Sequence, residues 1–116
     1  GISTNGTSNK LIQIGDAGGI ETSGYLGTSG TTNFTAGFGI ESGSAADVLH
    51  GQFILTLENA AAFTWLATGI LGLSNAGAVV ISGGSKSTTA ELDRVRITTS
   101  NGTDAFDAGE INIAYE

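Results

Sequence analysis

The chain contains no cysteine, no proline and no methionine. Without cysteine there is no disulfide, no thiolate nucleophile and no cysteine-ligated metal site, and the redox compartment leaves no mark on the sequence. Stability must come from packing, from sheet hydrogen bonds or from neighbouring subunits. Charge is scarce and one-sided: charged residues make up 13%, and four cations stand against eleven acids for a net charge of −7. Nucleic-acid binding needs clustered Lys and Arg, so this balance argues against it. No apolar run approaches the roughly 18 residues of a membrane-spanning helix. A single histidine, His50, and the lack of a Gly-x-Ser-x-Gly turn leave a serine-histidine-acid triad without its parts. A structural role for His50 is the stronger reading, and a zinc site is short of ligands. Gly83-Gly84-Ser85-Lys86-Ser87 has the residue types of a phosphate loop without its spacing, and reads as a turn. No cofactor is expected.

What is present is glycine, at 19 residues, with even more Ser and Thr, and an apolar fraction of 40%. That fraction, arranged in alternation, is enough to fold. A length of 116 residues suits one domain with a modest core. Residues 1–9 have linker chemistry and no periodicity. They read as the lead-in from a preceding shaft, and a start at Gly1-Ile2 without Met reads as a piece of a longer protein. Residues 10–116 then form the folded domain.

Period-two alternation marks the strands. Lys10 to Ile14 is a short one, stopped by Gly15-Asp16. Tyr25 and Leu26 sit between turn residues, and Phe34, Phe38 and Ile40 are spaced by glycines in the manner of an irregular edge. Asp47 to Glu58 is the strongest, with Phe53, Leu55 and Leu57 on one face and Gln52, Ile54 and Thr56 on the other. Phe63 to Ile70 follows after a short connection, so the two are expected to be antiparallel neighbours. Ala78 to Ser82, Leu92 to Thr99 and Glu110 to Glu116 complete the set, the last two joined through Asn101-Gly102. Seven or eight short strands without a helical period predict an all-β antiparallel sandwich or barrel. The expected core is Phe53, Leu55, Leu57, Phe63, Trp65, Val95, Ile97, Ile111 and Ile113.

Three groups of side chains are candidates for function. Arg94 and Arg96 are the only arginines and lie two apart on one strand, hence on one side of the sheet. They are read either as ion pairs within the subunit, or as donors to a carboxylate or small anion at a subunit interface. Trp65 is the lone tryptophan; core packing is the stronger reading, with a sugar-stacking platform as the rival. Asp104, Asp107 and Glu110 form an acidic cluster whose spacing fits no calcium loop. Turn capping in a solvated loop is the stronger reading there, and cation binding the weaker. Asn5-Gly6-Thr7, Asn33-Phe34-Thr35 and Asn101-Gly102-Thr103 match the N-glycosylation pattern, as chance alone would produce in a Thr-rich chain.

Several segments resemble the C-terminal knob domains of bacteriophage tail needles and tail fibres. They are Arg94-Val95-Arg96-Ile97-Thr98-Thr99, Asn101-Gly102-Thr103-Asp104 and the terminal Ile111-Asn112-Ile113-Ala114-Tyr115-Glu116. Gly15-Asp16-Ala17-Gly18-Gly19-Ile20-Glu21-Thr22-Ser23-Gly24-Tyr25 and the His50-Gly51-Gln52 ahead of an apolar alternation extend the likeness over most of residues 10–116. None of these motifs encodes chemistry. The resemblance implies a homotrimeric knob with a jelly-roll sandwich, similar to adenovirus fibre heads and to the tumour necrosis factor fold. It also implies a non-enzymatic role at the tip of a virion tail, contacting a host cell-surface receptor or outer-membrane component during attachment or genome delivery. The alternative is a lectin-like carbohydrate-binding module of a secreted protein. A hydrolase domain is disfavoured by the missing catalytic groups.

Overall fold

Alternating residues, interrupted every few positions by Gly, Asn, Asp or Ser, fold this chain as antiparallel strands throughout. The computed structural model describes residues 1–115, which contain eleven strands and no helix. They are β1 (Ser3–Thr4), β2 (Lys10–Asp16), β3 (Gly19–Ile20), β4 (Leu26–Ser29), β5 (Thr32–Phe34), β6 (Phe38–Ile40), β7 (Leu49–Asn59), β8 (Thr64–Leu73), β9 (Ala78–Ser87), β10 (Arg94–Thr99) and β11 (Phe106–Ala108). The larger sheet has the order β5-β4-β9-β8-β7. The smaller is β10-β2-β3, with β6 also paired to β2, and β1 and β11 make a two-stranded ribbon. The all-β expectation holds, and so does the antiparallel pairing of the two long strands.

The β7–β8–β9 meander is the largest continuous ladder. Leu49 pairs with Leu73 at one end and Leu57 with Trp65 near the other. The Asn59 side chain turns the corner by accepting the Ala61 and Ala62 N–H groups at 3.0 and 3.1 Å. Phe63, just before β8, takes a left-handed φ of 54°, a conformation costly for a non-glycine residue. Because side chains alternate, Leu49, Ala67, Leu71, Leu73 and Val80 all point to one side of this sheet. There they meet Ile12, Ile14, Tyr25, Phe38 and Ile40 to form the buried core.

Two polar devices lock the core's rim. The Tyr25 hydroxyl accepts the Ile14 N–H at 2.8 Å and donates to the Glu21 carbonyl at 2.8 Å, while its ring meets Phe38 edge-on with centroids 5.1 Å apart. Lys86 lies 5.1 Å from the centre of that ring, paired with Glu21 at 3.0 Å and donating to the Ser23 carbonyl. On the other flank the buried Lys10 ammonium donates to Ser42 Oγ at 2.9 Å, and Ser42 donates to Asp47 at 2.8 Å. The Asp16 carboxylate ties two distant loops together by accepting from Gly18, Thr89 and Ala90.

The expected core is largely displaced. Phe53, Leu55, Trp65, Val95 and Ile97 are only partly buried against the true centre. Leu57 is 46% exposed, Ile111 45% and Ile113 64%. Alternation reports which side of a strand faces inward; it does not report how far the facing layer reaches. Here Leu49, Leu71 and Leu73 are buried at one end of the hairpin, while Leu57 and Trp65 at the other open onto a cleft.

The expected strand Glu110 to Glu116 is absent from residues 110–115, and Glu116 lies outside the described residues. The last strand is instead β11, paired to β1 through Ser3 with Ala108 and Thr4 with Phe106. After it Gly109 takes φ +100°, and a β-carbon there would collide with the Gly1 carbonyl, so no side chain fits. The segment read as a linker is tied in at its start: Ile2 and Leu49 exchange both N–H···O bonds at 3.0 and 2.9 Å.

Candidate functional site

The first candidate is the outward face of the larger sheet. The registers place Gln52, Ile54 and Thr56 of β7, Leu66, Thr68 and Ile70 of β8, Val79 and Ile81 of β9, and Leu26 of β4 on the side away from the core. Ile70 stands directly opposite Ile81, and both are 64% exposed, as is Val79. No Asp, Glu, Lys or Arg occupies an outward position of β8 or β9, or of β7 from His50 to Thr56. Gln52, Ile54, Thr68, Ile70 and Ile81 line a shallow depression of about 310 Å³ there. A contiguous apolar, uncharged face on a chain of net charge −7 is unusual for a surface that meets only water.

The second candidate is the overhang. Leu57, Phe63 and Trp65 face Leu92 and Val95 across an open cleft of about 730 Å³, and Ile113 and Tyr115 form its outer lip. Glu91, Asp93 and Arg94 stand on the rim. Arg94 forks onto its neighbour Asp93 through Nε at 2.7 Å and Nη2 at 3.3 Å, and this hydrogen bond holds the Asp93 carboxyl below its usual range. Arg96 donates from Nε and Nη2 to the side-chain Oε1 of Gln13 at 2.8 and 2.6 Å, while Gln13 Nε2 donates to the Ala36 carbonyl. The two arginines thus share the sheet face opposite Val95 and Ile97, as their spacing requires, but each has found a partner within its own chain. Trp65 packs against the core on one side and lines the cleft on the other.

The acidic cluster is dispersed into separate tasks. Asp104 accepts from the Ser8 backbone and hydroxyl, at 3.0 and 2.7 Å, and Asp107 accepts from the Ser3 hydroxyl at 2.7 Å. The turn is capped by Asn101, whose side chain accepts from Thr103 and Asp104 N–H. Glu110 is exposed. Among the described residues no three His, Cys, Asp or Glu side chains converge as a metal-holding group. His50 reaches Ser74 Oγ at 3.1 Å on the surface. The Lys10–Ser42–Asp47 chain has the composition of a nucleophile relay, but Lys10 and Ser42 are buried, so no substrate can reach that hydroxyl without the structure opening.

The outward apolar face was not legible as a site from sequence. Its only signal was apolar residues at both parities of the same strands: Phe53 and Leu55 with Ile54, and Leu71 with Ile70. Such a pattern is equally that of a strand buried on both sides within one domain. Comparisons with protein-family models, with curated proteins and with solved structures each returned no match for this chain.

Proposed function

We propose that this domain is a non-enzymatic, homotrimeric knob at the tip of a bacteriophage tail needle or fibre. In that role its jelly-roll-like sandwich contacts a receptor or outer-membrane component of the host cell during attachment or genome delivery. The observation that carries the reading is the uncharged apolar outer face of the larger sheet. Copies of a chain with net charge −7 repel one another, and that repulsion is least where no charge stands. A second copy docked there removes Ile54, Ile70, Val79 and Ile81 from water without opposing acid to acid. The resemblance of residues 10–116 to tail tips supplies the biological setting, and the buried Ser42 hydroxyl and dispersed carboxylates agree with a binding role.

Sedimentation equilibrium at micromolar concentration tests it, with a trimer expected. Ile70→Asp should lower association by at least tenfold while leaving the circular dichroism unchanged, because Ile70 is exposed in the single chain. A parent protein that sediments as a monomer ends the reading.

One observation favours the lectin-like alternative. Trp65, Phe63 and Tyr115 line the same cleft as Glu91, Asp93 and Arg94, and aromatic faces beside bidentate polar groups suit a sugar ring. Trp65 is the sole tryptophan, so a glycan titration that changes its fluorescence in a monomeric protein would transfer the assignment to that class.

A further inference from the structure

The molecule carries two uncovered apolar features that cannot satisfy each other within one chain. One is the depression lined by Gln52, Ile54, Thr68, Ile70 and Ile81, on the outward side of the larger sheet. The other is the C-terminal segment, whose Ile111, Ile113 and Tyr115 alternate with Asn112 and Ala114. Those three side chains are increasingly exposed, to 93% at Tyr115. The segment lies on the inward side, where Ile113 and Tyr115 meet inward-facing Leu57 and Trp65 at the cleft. The sheet itself stands between tail and depression. The tail also bears the signature of a strand without being one: residues 109–115 join no ladder, so their peptide groups are free to bond elsewhere.

We infer that Ile111, Ile113 and Tyr115 of one copy seat in the outer-face depression of the next copy. The match is chemical as well as geometric. Ile111 to Tyr115 carries no charge, and neither does the depression. The tail offers a projecting apolar row, the depression an apolar hollow, and Gln52 and Thr68 within it supply donors and acceptors for free peptide groups. Each copy then gives one tail and receives one. Around a three-fold axis, three such contacts close a ring and leave neither feature uncovered; a two-fold pair exchanging tails would cover both as well, and the sedimented mass separates the two. This rests on the trimer reading and names the surfaces that build it.

The absence of cysteine makes the test direct. A chain carrying both Ile81→Cys and Ile113→Cys, oxidised under native conditions, should run as covalent dimers and trimers on a non-reducing gel. Each single variant supplies the background. A second pair, Val95→Cys with Ile113→Cys, traps the tail in its own cleft and should give only monomers. Independently, a chain with Ile113→Ser and Tyr115→Ser should associate at least tenfold more weakly and keep its dichroism spectrum, since both side chains are exposed in the single chain. If the parent is a trimer while the Ile81–Ile113 pair crosslinks no better than the single variants, the tail contact is overturned and the trimer stands. If crosslinks form within one chain, the contact is likewise overturned. A monomeric parent removes the trimer reading and the tail contact together.

Discussion

The two ends of the β7–β8 hairpin are built from the same residue types and have opposite fates. At one end Leu49, Leu71 and Leu73 are buried in the core. At the other, Leu57 and Trp65 overhang into an open cleft. The faces differ in the same way, since the outer side of the sheet carries isoleucines into solvent. The hydrophobic effect acts equally at both ends; what differs is whether this chain supplies a covering layer. The covered end is a folding core. The uncovered surfaces are where burial remains to be gained from another molecule.

Adjacent residues on β8 give the sharpest way to break that comparison. Leu71 points inward and Ile70 outward. Leu71→Ala should cost about 2–5 kcal/mol of unfolding free energy, through lost burial and the cavity left behind. Ile70→Ala should change it by less than about 0.5 kcal/mol when measured on dissociated chains. Denaturant titrations at low protein concentration measure both, and equal costs would mean the outer face is covered within the single chain.

Tyr25→Phe should have a smaller effect, about 1–3 kcal/mol. It keeps the ring against Phe38 but leaves the buried Ile14 N–H without its acceptor. A variant as stable as the parent would show that this hydroxyl is not part of the core's lock.

The smallest expected effect is a pH slope confined to acid. The hydroxyl of Thr89, then the Gly18 N–H, hold the Asp16 carboxyl below its ordinary range. Burial pushes Asp47 upward, but bonds from Ser42, Ser44 and Gly43 outweigh it and leave that carboxyl lowered as well. A lowered carboxylate binds its proton less tightly when folded than when unfolded. It therefore stabilises the fold above roughly pH 4, and that contribution is lost as pH falls through the folded-state values. Thermal midpoints should be level from about pH 7 to 5 and decline below 4, with Asp47→Asn flattening the decline. Midpoints that stay constant to pH 3 would contradict the role assigned to both carboxylates.

Much of the fold was legible because period two is a local signal. The strand beginning at Lys10, the long hairpin through Asn59 and the Arg94–Thr99 strand all lie where alternation put them. The centre of the core was not legible. Tyr25, Phe38 and Ile40 stand among glycines, and their burial comes from β6 crossing β2, a pairing that alternation cannot encode. Ile111 and Ile113 show the opposite failure: their alternation is real, but a strand also needs a ladder partner, and none is present among the described residues. Of the candidate site residues, spacing alone fixed the shared side of Arg94 and Arg96. Their partners Asp93 and Gln13 were out of reach, because Gln13 meets Arg96 only through the β2–β10 register. Trp65 packs against the core on one side and lines the cleft on the other.

The doubly bonded pair between Ile2 and Leu49 has a mechanical consequence. Any chain joined ahead of Gly1 is coupled, through two hydrogen bonds, to the first residue of β7 and so to the longest ladder in the molecule. The β1–β11 ribbon holds the far end of the sequence to the same spot. A push or twist delivered along such an attached segment would therefore enter the large sheet at one corner, through β7, as well as the small sheet through the chain that leads into β2. The same corner adjoins Gly109, from which the tail departs, so the load would arrive beside the root of the segment that projects toward a neighbour.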